Sequence, residues 1–139
     1  METKSFSIYS EFSKVAIASK TIRTLCNNYN VAEKHCNEIE VSICEALNNI
    51  IEHSYLGITT SIIKIETLIN KKLIEIKLID EGITRQKLSK PELNFDPQNL
   101  SSVPERGMGL FIINELMNEI SYESKKGKNI FTLKKFFSD

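Results

Sequence analysis

Three separated clusters in this chain carry residue types that can do chemistry. The first is Glu45-Ala46-Leu47-Asn48-Asn49-Ile50-Ile51-Glu52-His53-Ser54-Tyr55. At about 100° per residue, Glu45, Asn49, Glu52 and His53 share one side of a helix. Ile39, Ile43, Ala46, Leu47 and Ile50 share the other, and that side reads as a core stripe. Glu45 and Asn49 are i,i+4 neighbours, so both can face one ligand. A carboxylate can take a proton, and an amide oxygen can bind a hard cation such as Mg²⁺. A solvated helix face carries the same residue types, so this cluster alone does not define a site.

The second cluster is Asp80-Glu81-Gly82. Asp80 stands where an apolar strand meets a glycine turn. Its carboxylate can accept a hydrogen bond from an exocyclic amine such as that of adenine, and Gly82 lets the backbone pass close to a flat ring. A turn residue bonding its own backbone after a strand has the same signature. The third cluster, Arg106-Gly107-Met108-Gly109-Leu110, is a Gly-x-Gly turn opening a helix. Glycines let backbone N–H groups approach closely, and a helix N-terminus favours negative charge, so the pair suits a phosphate. It is not a Walker motif, and Ile112 breaks the dinucleotide-binding Gly-x-Gly-x-x-Gly. Taken alone, His53 reads as a hydrogen-bonded structural histidine, and His35 has no partner at ligand spacing. There is no zinc site and no Ser-His-Asp or Cys-His arrangement.

The elements that must position these clusters follow from periodicity. Phe6 to Tyr9 reads as a short first strand. From about Glu11 to Asn28 a helix places Phe12, Val15, Ala18, Ile22 and Leu25 on one face, with Lys14, Lys20 and Arg23 elsewhere as solvating charge. A second helix runs from about Ala32 to His53, and Tyr55-Leu56-Gly57 ends it. Ser61 to Leu68 and Lys72 to Ile79 read as an antiparallel hairpin turning at Asn70-Lys71. Ile83 to Arg106 holds all three prolines and reads as a long, polar, mobile loop, a kind of segment usually functional. A third helix starts at Gly107 to Gly109, carries Leu110, Ile113, Leu116 and Met117, and runs to about Ile120. Ser121 to Lys125 and Ile130 to Phe137 form a last hairpin around Gly127-Lys128-Asn129. The order implies an α+β fold: a two-layer sandwich with helices packed on one face of a mainly antiparallel sheet.

The chain's 139 residues fit one domain, 1–139, with a real core. Lys plus Arg and Asp plus Glu both number 18, so no bulk charge drives it toward nucleic acid or an anionic membrane. No apolar run is long enough to span a bilayer, and Met1 to Tyr9 lacks the apolar core of a signal peptide. Cys26, Cys36 and Cys44 form no C-x-x-C pair and read as buried free thiols of a reducing cytoplasm.

In this order and spacing, the clusters resemble the boxes of the anti-sigma-factor serine kinases (RsbW-like) of the GHKL ATPase superfamily. Glu45-Ala46-x-x-Asn49-x-x-x-His53-x-Tyr55 resembles the N-box and Ile79-Asp80-Glu81-Gly82 the Asp-x-Gly box. Arg106 to Ile113, with Leu116-Met117-Asn118-Glu119, resembles the final Gly-x-Gly box and its helix. The resemblance covers nearly the whole chain and implies the GHKL ATP-binding fold and an ATP-dependent protein serine kinase. It implies Glu45 as general base and Asn49 as the protein ligand of Mg²⁺. Asp80 would bind the adenine amine, with Gly82 and His53 in the nucleotide set. Arg106, Gly107, Met108, Gly109 and Leu110 would wrap the phosphates, beneath a lid from Pro91 to Arg106. The implied partners are a sigma factor and a STAS-type anti-anti-sigma protein carrying the acceptor serine. A homodimer is implied too, with helix one and Lys14 on the partner surface. Two positions depart from the family. Thr84 replaces the second glycine of Asp-x-Gly-x-Gly, and Lys128-Asn129 stands where relatives often carry Gly-Thr, so that Asn129 only partly stands in. A nucleotide-gated binding module without phosphotransfer is the alternative reading. The ATP-binding domain of a histidine kinase ranks lower, because the chain leaves no room for a His-bearing dimerisation helix pair.

Overall fold

The computed structural model describes residues 1–56, 58–82 and 108–137. The expected loop from Ile83 to Arg106, the lid within it, Thr84, Arg106, Gly107 and Gly57 lie outside the described residues. The chain begins with β1 (Glu2–Tyr9), longer than the four residues expected, and continues into α1 (Phe12–Asn28) and α2 (Glu33–Asn49). The hairpin β2 (Ile62–Ile69) and β3 (Leu73–Asp80) comes next, followed by α3 (Met108–Leu116) and the hairpin β4 (Glu119–Lys125) and β5 (Lys128–Phe136). The five strands form one antiparallel sheet in the order β1-β2-β3-β5-β4.

Strict alternation explains why the sheet has one wet and one dry face. Ile63, Ile65 and Ile69 of β2, Ile74, Ile76 and Leu78 of β3, and Phe131 and Leu133 of β5 are buried. The intervening positions carry charges that pair across the other face, such as Lys134 with Glu75 (3.5 Å) and Glu119 (3.6 Å). Helix α2 lays Ile39, Ile43, Ala46 and Leu47 into the core, as its period predicts. Helix α1 buries Val15, Ala18, Ile22, Leu25 and Cys26. Phe12, expected on that face, is 56% exposed. As the first residue of α1 it has no preceding turn to carry the stripe inward. Arg23 is not merely a solvating charge. It reaches from α1 to α2, bonding Asn37 Oδ1 at 3.2 Å and pairing with Glu33 and with Glu40 at 3.1 Å. All three cysteines are free thiols; Cys26 and Cys36 are buried, whereas Cys44 is half-buried. Burial raises each thiol pKa, that of Cys26 to about 12, which keeps the thiols protonated and unreactive at neutral pH.

Two features differ from the periodic reading of the helices. The second helix is α-helical only to Asn49; Ile50–Ser54 is a π-helical turn closed by the Tyr55 N–H to Ile50 C=O bond at 3.0 Å. The third helix stops at Leu116 rather than near Ile120. The Asn118 N–H donates to the Lys134 carbonyl (2.9 Å) and its side-chain oxygen accepts from the Phe136 N–H (2.8 Å). These bonds turn the chain into β4 before another helical turn can form.

Lys135 is the unexpected core residue. It lies on the dry face of β5 and is 7% exposed. Its Nζ donates to the Leu116 carbonyl, capping the C-terminus of α3, and stands 3.4 Å from Glu38 Oε1 of α2. Glu38 Oε1 is also 3.4 Å from His35 Nδ1. One ammonium thus ties the end of α3 to α2, where a cation also opposes the negative end of the helix dipole. Lys135→Met keeps the apolar stem but leaves the Leu116 carbonyl and Glu38 without their cation. We expect a loss of roughly 1–3 kcal/mol in urea unfolding, with hydrogen exchange in α3 rising first. A variant as stable as the parent would show that the ammonium contributes nothing there.

Candidate active site

The π turn places the end of the second helix against the Asp80 turn. Its smaller rotation per residue brings Ile50, Ile51, Ser54 and Tyr55 all inward, which a continuous α-helix would spread over more of its circumference. The Tyr55 hydroxyl donates to the Ile62 carbonyl (2.8 Å) at the start of β2 and accepts the Glu81 N–H (2.8 Å) just past β3. Burial raises its pKa, the Glu81 hydrogen bond offsets part of that rise, and the proton it donates is retained. Gly82 then passes the helix end so closely that a Cβ there would lie 2.7 Å from the Ser54 carbonyl carbon. Only a residue without a side chain fits that approach.

Asp80 is 2% exposed at the end of β3. Its Oδ1 accepts the Gly82 N–H at 2.9 Å and the Asn129 side-chain N–H at 2.8 Å. The turn-residue and ligand-facing readings of Asp80 are therefore compatible, because the turn uses one carboxylate oxygen. Burial raises the pKa of Asp80 above its ordinary value, and the bonds from Asn129 and Gly82 offset part of that rise. Asn129 is fully buried directly across from Asp80 in the β3–β5 register. Inward alternation with Phe131 and Leu133 is the sequence signal that could have placed it there.

At the other end of the same helical run, Glu45 and Asn49 are half-buried and converge on the first turn of α3. A Cβ on Gly109 would lie 2.8 Å from Glu45 Oε2 and 3.2 Å from Asn49 Nδ2. The first and third clusters are therefore in contact, and Leu110 packs half-buried beside them against the core. Met108 begins the helix. His53 is set apart by the π turn. It is half-buried, and among the described residues its polar contact is Glu52 Oε2 at 3.9 Å. Among the described residues no group of three His, Cys, Asp or Glu could hold a metal by itself. One amide oxygen, from Asn49, fits a Mg²⁺ that arrives with phosphate oxygens and keeps its waters.

The raised pKa of Asp80 has a consequence for stability. A carboxyl whose folded pKa lies above its unfolded value favours the fold while protonated, and that contribution is lost as pH rises through the raised value. Asp80→Asn removes the buried charge and can still offer Oδ1 to Asn129 and Gly82. Its melting temperature should equal or exceed that of the parent at neutral pH, the difference closing toward acid. On the adenine role that the resemblance implies for Asp80, the variant's affinity for ATP should fall roughly ten- to a hundredfold, as one charge-assisted hydrogen bond would be lost. Calorimetry finding unchanged ATP affinity in the folded variant would remove Asp80 from base recognition.

Residues 9–135 match the sequence model of the histidine kinase-like ATPase domain. The serine-protein kinases RsbW of Bacillus cereus and Bacillus mycoides are each 28% identical to this chain over 126 residues, spanning 86% of it and 76% of the relative. The RsbU and RsbW domains of a Mycobacterium tuberculosis protein superpose with a TM-score of 0.67 at 13% identity, over 98% of this chain. The present chain spans 32% of that longer one. The SiaB–SiaC complex of Pseudomonas aeruginosa gives a TM-score of 0.61 at 14% identity, over 96% of this chain and 89% of that one. No described helix is long and apolar enough to cross a membrane. The RsbW-like resemblance and the α+β GHKL fold are borne out, and the chain belongs to the histidine kinase-like ATPase domain family.

Proposed function

We propose that this chain is an ATP-dependent serine protein kinase that works as a cytoplasmic anti-sigma factor. It would sequester a sigma factor or phosphorylate a STAS-type anti-anti-sigma partner. The observation that carries the reading is one helical run, Glu45 to Ser54, that meets the Asp80–Gly82 turn at one end and the start of α3 at the other. That run sets a base-recognising carboxylate at one end and a phosphate-suited helix N-terminus along the other. The 28% identity to RsbW kinases supports the serine-kinase class.

In this reading Asp80 accepts the adenine amine, Gly82 lets the base lie against the turn, and His53 borders the nucleotide. The N–H groups at Gly109 and Leu110 hold phosphate oxygens, joined by Arg106, Gly107 and Met108. Asn49 holds Mg²⁺, which supplies charge neutralisation on the transferring phosphoryl group when bound. The acceptor serine oxygen bonds to the γ-phosphorus while the bond to the β–γ bridging oxygen breaks and ADP leaves. Glu45 takes the serine proton. Lys14 lies half-buried in a surface hollow beside Tyr9, Ile17 and Ile62, a basic group among exposed apolar ones. That chemistry supports a protein contact on α1, in a homodimeric assembly with its partners.

The test is single-turnover transfer from labelled ATP to a STAS partner recovered with the protein, beside binding titrations. Asn49→Ala should damage Mg-ATP binding and every ATP-dependent partner contact. Glu45→Ala should leave nucleotide and sigma-factor binding intact but slow transfer by roughly 10²–10⁴-fold. Transfer at the parental rate in Glu45→Ala would remove Glu45 as base. If the parent protein shows no transfer while ATP alters partner affinity, it is a nucleotide-gated binding module instead.

A further inference from the structure

We propose that Asn129 is a positioning residue for base recognition. Its amide nitrogen ties Asp80 Oδ1 to the Gly82 carbonyl and leaves Asp80 Oδ2 as the single acceptor offered to an exocyclic amine. The inference rests on the adenine reading of Asp80. Asn129 is fully buried on the dry face of β5, where its neighbours along the strand are Phe131 and Leu133. An amide in such a place is costly unless its donors are used. Here Nδ2 donates to Asp80 Oδ1 at 2.8 Å and to the Gly82 carbonyl at 3.0 Å. The Gly82 N–H returns to Asp80 Oδ1 at 2.9 Å. Three hydrogen bonds thus close a ring through Asp80, Gly82 and Asn129.

The chemistry fixes the amide's orientation. Flipped, its oxygen would face a carboxylate oxygen and a carbonyl oxygen, three acceptors with no proton among them. With Oδ1 holding two donors, Asp80 cannot rotate without breaking both bonds. Among the described residues Oδ2 receives no hydrogen bond. A lone, fixed acceptor suits the amino group of adenine and opposes the carbonyl oxygen that guanine presents at the same ring position. A threonine hydroxyl has a single proton and cannot bridge both Asp80 and Gly82, so Asn129 makes a link that a threonine there could not. The same two N–H groups on Oδ1 favour the ionised carboxylate against its burial.

The measurement is titration of the full chain with Mg-ATP and with Mg-GTP, from about pH 5 to 8, for the parent, Asn129→Leu and Asn129→Thr. Asn129→Leu removes both donors at similar volume. It should lose roughly ten- to a hundredfold in ATP affinity and narrow the preference for ATP over GTP. The rise of ATP affinity with pH should also move to higher pH, since the carboxylate loses a donor that favours its ionised form. Asn129→Thr keeps one donor and should recover part of each effect. If affinity falls but base preference and pH profile stay parental, Asn129 is structural filling and the proposal is overturned. Parental affinity in a folded Asn129→Leu overturns it too. Should the leucine variant fail to fold, base preference and pH profile of Asn129→Thr decide: a shift in both supports the proposal, no shift overturns it. A parent protein that binds no ATP would instead overturn the nucleotide reading beneath it.

Discussion

The Tyr55 hydroxyl is the constraint on which the candidate site depends. It donates to β2 through Ile62 and accepts from the Glu81 backbone, so a single atom fixes the helix end relative to two sheet elements. A buried N–H or C=O left unpaired costs on the order of 1–3 kcal/mol, so releasing this oxygen would unsatisfy both partners. The close passage of Gly82 past Ser54 requires the same placement. Tyr55 makes both bonds from the residue that follows the π turn at the end of the second helix. The π turn is thus part of the site's architecture, in keeping with the frequent appearance of such turns at functional positions.

A second anchor acts on α3. Its N-terminal turn touches Glu45 and Asn49, while its C-terminal carbonyl is held by Lys135, itself paired with Glu38 on α2. Both ends of a nine-residue helix therefore refer to α2. Such a helix is too short to be stable alone. Its position is set by these contacts and by Ile113 and Met117 in the core. Glu45 and Asn49 consequently sit on a long, well-packed helix and face a short one held at two points, an arrangement that keeps the two polar side chains on the more rigid partner.

What the sequence made legible divides along physical lines. Alternation of Ile with charged residues marked β2 and β3, and the apolar period of α2 correctly put Glu45 and Asn49 on the opposite side from Ile39, Ile43 and Leu47. The spacing of Asp80 and Gly82 after a buried strand located the turn. The π turn was not legible, because Ile50 to Ser54 carry no local signal for it; its cause is tertiary, in the bonds Tyr55 makes. Lys135 was not legible for a related reason. Alternation places it inward with Leu133 and Phe131, but its charge argues outward, and only Leu116 and Glu38 settle the conflict. The end of α3 was misplaced because Asn118 bonds to β5, a strand far along the chain.

Asp80 and Asn129 show how the fold accommodates a buried carboxylate at a local cost. A carboxylate 2% exposed at the end of a core strand is unfavourable to ionise, and its raised pKa records that cost. A neutral residue would give a more comfortable core. The directly opposed, fully buried Asn129 lowers the penalty by donating to the ionised form, yet it introduces an amide that must itself be satisfied, which the Gly82 carbonyl achieves. The solution propagates outward: satisfying the amide fixes Gly82, fixing Gly82 demands its close approach to Ser54, and that approach demands the helix end held by Tyr55. Polar groups at the end of a dry sheet face are stable only as a completed set. Positions that would be independent in an apolar core are here bound into one unit, and a substitution at any of them is felt at Asp80.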